Sequence, residues 1–121
     1  MDLLSSILTI FFSHQLKLKI FHFQTKGYGS HKASDSYLTK FEDNLDKFFE
    51  VAQGIYGKLN MDNLKIECKT INDDNIMTEL DKFIKLLLSF DEQFKGCPEL
   101  LNIRDDMLGD LKQFKYLLTF K

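Results

Sequence analysis

Helix breakers are nearly absent from this chain. Pro98 is its single proline, and only six of its 121 residues are glycine. A sandwich or barrel needs such residues at its many turns, so their scarcity favours long helices. The apolar pattern agrees. From Ser30, a good N-cap, to about Gly57, the residues Ala33, Tyr37, Leu38, Phe41, Leu45, Phe48, Ala52 and Ile55 advance mostly in steps of three and four. That spacing is one face of an α-helix.

Three further segments read the same way. The first runs from about Asp2 to Gln24 and ends at Lys26-Gly27-Tyr28-Gly29, where two glycines supply the freedom a turn needs. The third helix is expected to start near Asn72, Asp73 or Asp74, whose acids suit a helix N-terminus. It carries Ile76, Leu80, Phe83, Ile84, Leu87, Phe90 and Phe94 up to a stop at Lys95-Gly96. Pro98 then stands like a first helical residue, and the fourth helix carries Leu101, Leu108, Leu111, Phe114 and Leu118. Between helices two and three, Lys58 to Ile71 is less regular, and Leu64-Lys65-Ile66 reads as either a short helix or an extended piece. The fold class expected is all-α: a four-helix bundle with helices of about 20 to 28 residues, forming one domain over residues 1–121. The tight first turn makes helices one and two antiparallel neighbours. The longer second connection lets helix three cross the length of the bundle.

Charge and cysteine usage remove several function classes. The net charge is −2, from 16 basic and 18 acidic residues, with no basic tail. That argues against a nucleic-acid partner held by bulk charge. Cys68 and Cys97 fit no CxxC pattern and read as reduced thiols, pointing to a cytoplasmic setting. The apolar start, Met1 to Ser13, has Asp2 where a signal peptide carries basic residues, and its pattern continues through Phe23. It therefore reads as a structural helix. No apolar run reaches the ~18 residues of a membrane span, so no membrane partner is expected. Gly27-Tyr28-Gly29 follows a helix rather than a strand and is a turn, not a phosphate loop. The 12 phenylalanines and 4 tyrosines, at helical spacing, read as core.

One set of polar residues is not scattered. His31, Asp35, Glu42, Asp46 and Glu50 follow one another at intervals of 4, 7, 4 and 4 on the second helix. At ~100° per residue they make one stripe beside the buried face, where another helix or a second subunit could cover it. Glu42, Asp46 and Glu50 are like charges one turn apart, which costs stability unless a cation sits among them. Two readings stay open at this point: a solvated polar face, or a divalent metal site, since imidazole with carboxylate suits iron, zinc or manganese. His22, between Phe21 and Phe23 at the end of the first helix, is either a capping or core histidine or a second nitrogen ligand.

The segment His22-Phe23-Gln24-Thr25-Lys26-Gly27, followed by His31-x-x-x-Asp35 and Asp46-x-x-x-Glu50, resembles the ferroxidase signature of Dps-type mini-ferritins, within the ferritin-like superfamily. The resemblance covers residues 15–58 or so. The spacings within the second helix agree with the family's, and the turn before it is a few residues shorter. Gln24 to Gly57 also resembles uncharacterised proteins encoded by viruses and phages, which would place the chain in a host cytoplasm or a virion. The mini-ferritin resemblance implies a ferritin-like bundle, Fe(II) as the bound metal, and its oxidation by peroxide or oxygen. It implies His22, His31, Asp35, Asp46 and Glu50 as the metal site, with Asp35 as ligand or supporting residue and Glu50 of the bridging type. It also implies a homo-dimer or larger homo-oligomer, in which the histidines and Asp35 of one chain meet Asp46 and Glu50 of another. No Glu-x-x-His is present for a di-iron site inside one bundle. The chain departs from the family in carrying Phe23 where tryptophan is usual, in being shorter and in lacking a basic tail. Shell assembly, iron storage and DNA compaction are therefore not carried over, and Glu42 has no assigned role. The alternative is a small, non-catalytic helical interaction protein that keeps a ferritin-like fold.

Overall fold

The computed structural model describes residues 2–120. Helix α1, Leu3–Gln24, begins where the Asp2 side chain accepts the Ser5 N–H at 2.8 Å. A carboxylate cap satisfies an otherwise orphaned backbone donor. The chain turns through Thr25-Lys26-Gly27 into α2, Tyr28–Tyr56. Helix α3, Ile76–Leu88, the single-turn α4, Phe90–Gln93, and α5, Pro98–Leu117, complete the bundle.

Side-chain pairings fix the topology. Lys40 donates to Gln113 at 2.7 Å and Asn44 to Asp110 at 3.1 Å, so α2 and α5 are antiparallel. Lys115 meets Asp81 at 2.7 Å, and Arg104 reaches the Leu87 carbonyl at 2.7 Å, so α3 and α5 are antiparallel too. The connection over residues 57–75 runs beside α1 in the same direction. Ser5 donates to the Asn60 carbonyl at 2.7 Å, Ser13 to the Glu67 carbonyl, and Thr25 to Asp73 at 2.6 Å. Ser13 and Thr25 lie ~18 Å apart along the helix, and the six steps from Glu67 to Asp73 cover this at ~3 Å each, close to full extension. The order is therefore up, down, a long crossover, down, up. Helices α1 and α5 face each other diagonally, as do α2 and α3.

Aromatic rings fill the space between. Phe11, fully buried, has Phe49 and Phe83 at 5.2 Å, Phe48 at 5.7 Å and Phe41 at 5.8 Å. Phe21 of α1 reaches across the diagonal to Phe114 of α5 at 6.3 Å. Bulky rings let diagonal helices touch where smaller side chains would leave a void.

Several local expectations are corrected. Helix α2 starts at Tyr28, with Gly27 rather than Ser30 at the cap. The first turn needs no unusual backbone freedom: the positive-φ glycines are Gly57 and Gly96, at φ 91° and 85°. Between Lys58 and Ile71 the chain forms no helix, so Leu64-Lys65-Ile66 is the extended alternative. The third helix starts at Ile76 and breaks at Ser89, whose hydroxyl turns back onto the Leu86 carbonyl at 2.5 Å. The carbonyl of Leu87, near the break, is taken by the buried Arg104 guanidinium, a favourable partner for a helix C-terminus. On α5 the core face is Leu100, Ile103, Met107, Leu111 and Phe114, while Leu101 and Leu108 are only partly buried. Both series obey helical spacing, so only the position of α5 between α2 and α3 chooses between them. On α2, Phe49 is buried and Ile55 exposed, the reverse of the expected stripe edge.

Candidate functional site

His22 and His31 are nine residues apart in sequence and in contact in space. Their rings stack with centroids 3.9 Å apart and planes 19° apart. The turn holds them through reciprocal hydrogen bonds. His31 Nδ1 donates to the His22 carbonyl at 2.8 Å, and His22 Nδ1 donates to the His31 carbonyl at 3.0 Å, sharing that proton with the Ser34 hydroxyl at 2.9 Å. Ser34 in turn donates to the His31 carbonyl at 2.9 Å. A carbonyl can only accept, so both Nδ1 atoms carry hydrogen. In each neutral ring the free lone pair is then at Nε2, the arrangement in which a ligating histidine is oriented by a carbonyl behind it. His22 is buried and His31 partly so.

The acidic residues are placed differently. Asp35, Glu42, Asp46 and Glu50 are all exposed. Among the described residues their carboxylates make no hydrogen bond or ion pair with another side chain. Asp35 stands one turn from His31 and, with Glu42, borders an open groove between α1 and α2 that also holds Leu16, Lys19 and Leu38. Asp46 and Glu50 lie ~16 and ~22 Å from Asp35 along the helix axis. One chain therefore brings His22 and His31 together, with Asp35 one turn from His31, and leaves Asp46 and Glu50 apart. Among the described residues no three His, Cys, Asp or Glu side chains are grouped to hold a metal within one chain. Phe23 is 73% exposed, and its ring lies 5.4 Å from that of His22.

The buried polar cluster lies elsewhere, outside every motif of the sequence. His14 is 1% exposed, and its ring lies flat on Phe83 at 3.9 Å. Its Nδ1 donates to Glu79 at 2.6 Å, and its Nε2 accepts from the Tyr37 hydroxyl at 2.8 Å. Lys17 meets the second Glu79 oxygen at 3.3 Å. Three helices are thus tied by one chain of hydrogen bonds. Burial pushes His14 below its ordinary value, against the opposing pull of Glu79. Burial alone would raise Glu79, but His14 and Lys17 outweigh it and hold the carboxyl below the usual range. Tyr37 is pushed well up by burial and by the charges of Asp110 and Glu79. A signal for this cluster exists in the sequence: Ile7, Phe11, His14, Leu18 and Phe21 share one helical face, which puts His14 in the core. Cys68 and Cys97 are free thiols, and Cys97 lies 3.3 Å from the Tyr56 hydroxyl. Among the described residues no helix is long and apolar enough to cross a membrane.

The chain is similar to an uncharacterized 14.6 kDa protein of Enterobacteria phage T4, from the mobD-ri intergenic region. The two are 30% identical over 101 residues, covering 83% of this chain and 75% of the phage protein. No solved structure matches. Residues 22–118 match a family of unknown function, DUF5856, a span that starts at His22 and contains every acid of the α2 stripe; the chain belongs to that family.

Proposed function

We propose that this protein is a Dps-like, ferritin-like iron-binding protein that takes Fe(II) as its substrate at a site shared between two copies. The observation that carries the reading is the locked histidine pair: two imidazoles on one chain, each with Nδ1 fixed on a carbonyl and Nε2 left to coordinate. Asp35 is the carboxylate one turn from His31 on the same helix. Asp46 and Glu50, exposed one turn apart, are the ligands offered to the second copy. The single long crossover in an otherwise antiparallel bundle supports a ferritin-like fold, because one crossover is the connectivity of that class. A two-fold axis then builds two identical sites. The bound iron supplies the redox chemistry, with peroxide or oxygen as oxidant. The chain's residues bind it, orient it and shield one side with Phe23. Zinc or manganese would suit the same donor set.

The test is an anaerobic Fe(II) titration with light scattering on the same sample. Saturable binding in a dimer or larger assembly, lost in Asp46→Ala and Glu50→Ala at unchanged helicity, is the expected result. Unchanged stoichiometry in both variants sinks the assignment. A second reading is a helical interaction protein without metal chemistry, with which the absence of a three-ligand group among the described residues is equally compatible. A stable dimer that binds no Fe(II) would establish it.

A further inference from the structure

The crossover passes along the seam between α1 and α3. It leaves a cleft of about 420 Å³, within the size range of small-ligand sites. Its apolar surface is Ile10 from α1 and Phe83 and Leu86 from α3. Ile10 is 42% exposed, an apolar side chain left uncovered at the mouth. The charged groups facing it come from all three walls: Lys17 from α1, Glu79 and Lys82 from α3, and Lys65 and Glu67 from the crossover.

Pairing leaves an imbalance among these charges. Glu79 is held by Lys17 and His14, and Glu67 by Lys69 at 3.3 Å. Lys65 and Lys82 make no ion pair among the described residues. Two uncompensated ammonium groups therefore border an apolar-floored cleft, one on each side of it, in a protein whose net charge is −2. A phosphate monoester carries a charge of about −1.5 to −2 at neutral pH, which matches two lysines. Ammonium groups also serve phosphate well as compact point charges. We infer that this cleft binds a small phosphate monoester with an apolar body. The phosphate sits between Lys65 and Lys82, and the body covers Ile10, Phe83 and Leu86. The inference is independent of the iron reading, since none of the α2 stripe lines the cleft.

Because Lys65 belongs to the extended crossover, occupancy also tethers that segment to α3. Ser13, whose hydroxyl is bonded to the Glu67 carbonyl, already fixes one side of it. Ligand binding should therefore slow proteolysis of residues 60–70.

The probe is phenyl phosphate, titrated into the 121-residue chain and followed by amide NMR, with inorganic phosphate and phenol as controls. Saturable shifts at Ser13, Lys65, Lys82 and Leu86 are expected, with tighter binding of phenyl phosphate than of either control. Losing one charge-assisted contact should weaken binding about tenfold, so Lys65→Ala and Lys82→Ala each do so, while Lys112→Ala on α5 changes nothing. Added salt should weaken the complex, as ammonium–phosphate contacts at an open cleft are screened. Both lysines are exposed, so these variants keep the fold. Absence of saturable shifts, or binding that survives both lysine variants, overturns the site. Inorganic phosphate binding as tightly as phenyl phosphate overturns the ligand class.

Discussion

The most consequential single residues are the buried titratable ones. His14 has its value depressed by burial, so the unfolded chain takes up the proton first as pH falls through the ordinary 6.5. Its contribution to stability is present above that value and is lost as pH drops toward the folded one. Glu79, held below its ordinary 4.5, adds a second loss of the same sign further into acid. The urea midpoint should therefore fall steadily from pH ~7 downward, and His14→Phe should flatten the upper part of that fall. A midpoint flat to about pH 5 in the natural protein would contradict the burial of this histidine. Glu79→Ala strands Lys17 and His14 in a poorly hydrated place and should cost about 3 kcal/mol in denaturant unfolding. Tyr37→Phe removes only one hydrogen-bond partner and should cost about 1 kcal/mol. None of this was legible in the motif around His22, because His14 carries no motif. What marks it is its position on the apolar face of α1, a periodicity signal rather than a chemical one.

Among the elements, α1 and the crossover are the informative pair. Phe11 sits where rings from α2, α3 and α4 meet, with Phe90 stacked at 6.3 Å. Phe11→Ala should lose about 4 kcal/mol, the range for emptying an aromatic core site, measured by chemical unfolding. The crossover depends on far less. Leu59 and Ile71 are its buried ends, and three side-chain contacts from Ser5, Ser13 and Thr25 hold it to α1. Asp73 also accepts the Lys26 N–H at 3.0 Å, so one carboxylate clamps both the first turn and the end of the crossover. Asp73→Ala should cost about 1 kcal/mol and speed limited proteolysis within residues 60–70. First cleavage inside α2 instead would mean the crossover is not the least stable element. The sequence made the helices readable, since their apolar stripes repeat over many turns. It left Leu64-Lys65-Ile66 ambiguous because three apolar and polar residues suit either period. It also missed the break at Ser89, which arises from the hydroxyl turning onto Leu86 and from Arg104 arriving from another helix.

For the whole molecule, the prediction concerns assembly. If Fe(II) bridges two copies, it binds the native dimer and not the unfolded chain, so it must raise the melting temperature, and a chelator must reverse the rise. The melting temperature should also climb with protein concentration. Asp46→Ala should abolish the iron-dependent part and keep the concentration dependence, which separates metal binding from dimer formation. The amino-acid sequence by itself determined the four helical segments, most of the apolar faces of α2 and α3, the stop at Gly96 and the His22, His31 and acidic-stripe pattern. All of these depend on neighbours within a few turns. The tertiary structure alone decided which register of α5 faces the core, how the crossover runs, and that Glu79 meets His14 across 65 positions of chain. It also decided that two lysines on different elements share one cleft. Those outcomes depend on the placement of one helix against another, a balance of packed rings and satisfied polar groups that no local spacing encodes.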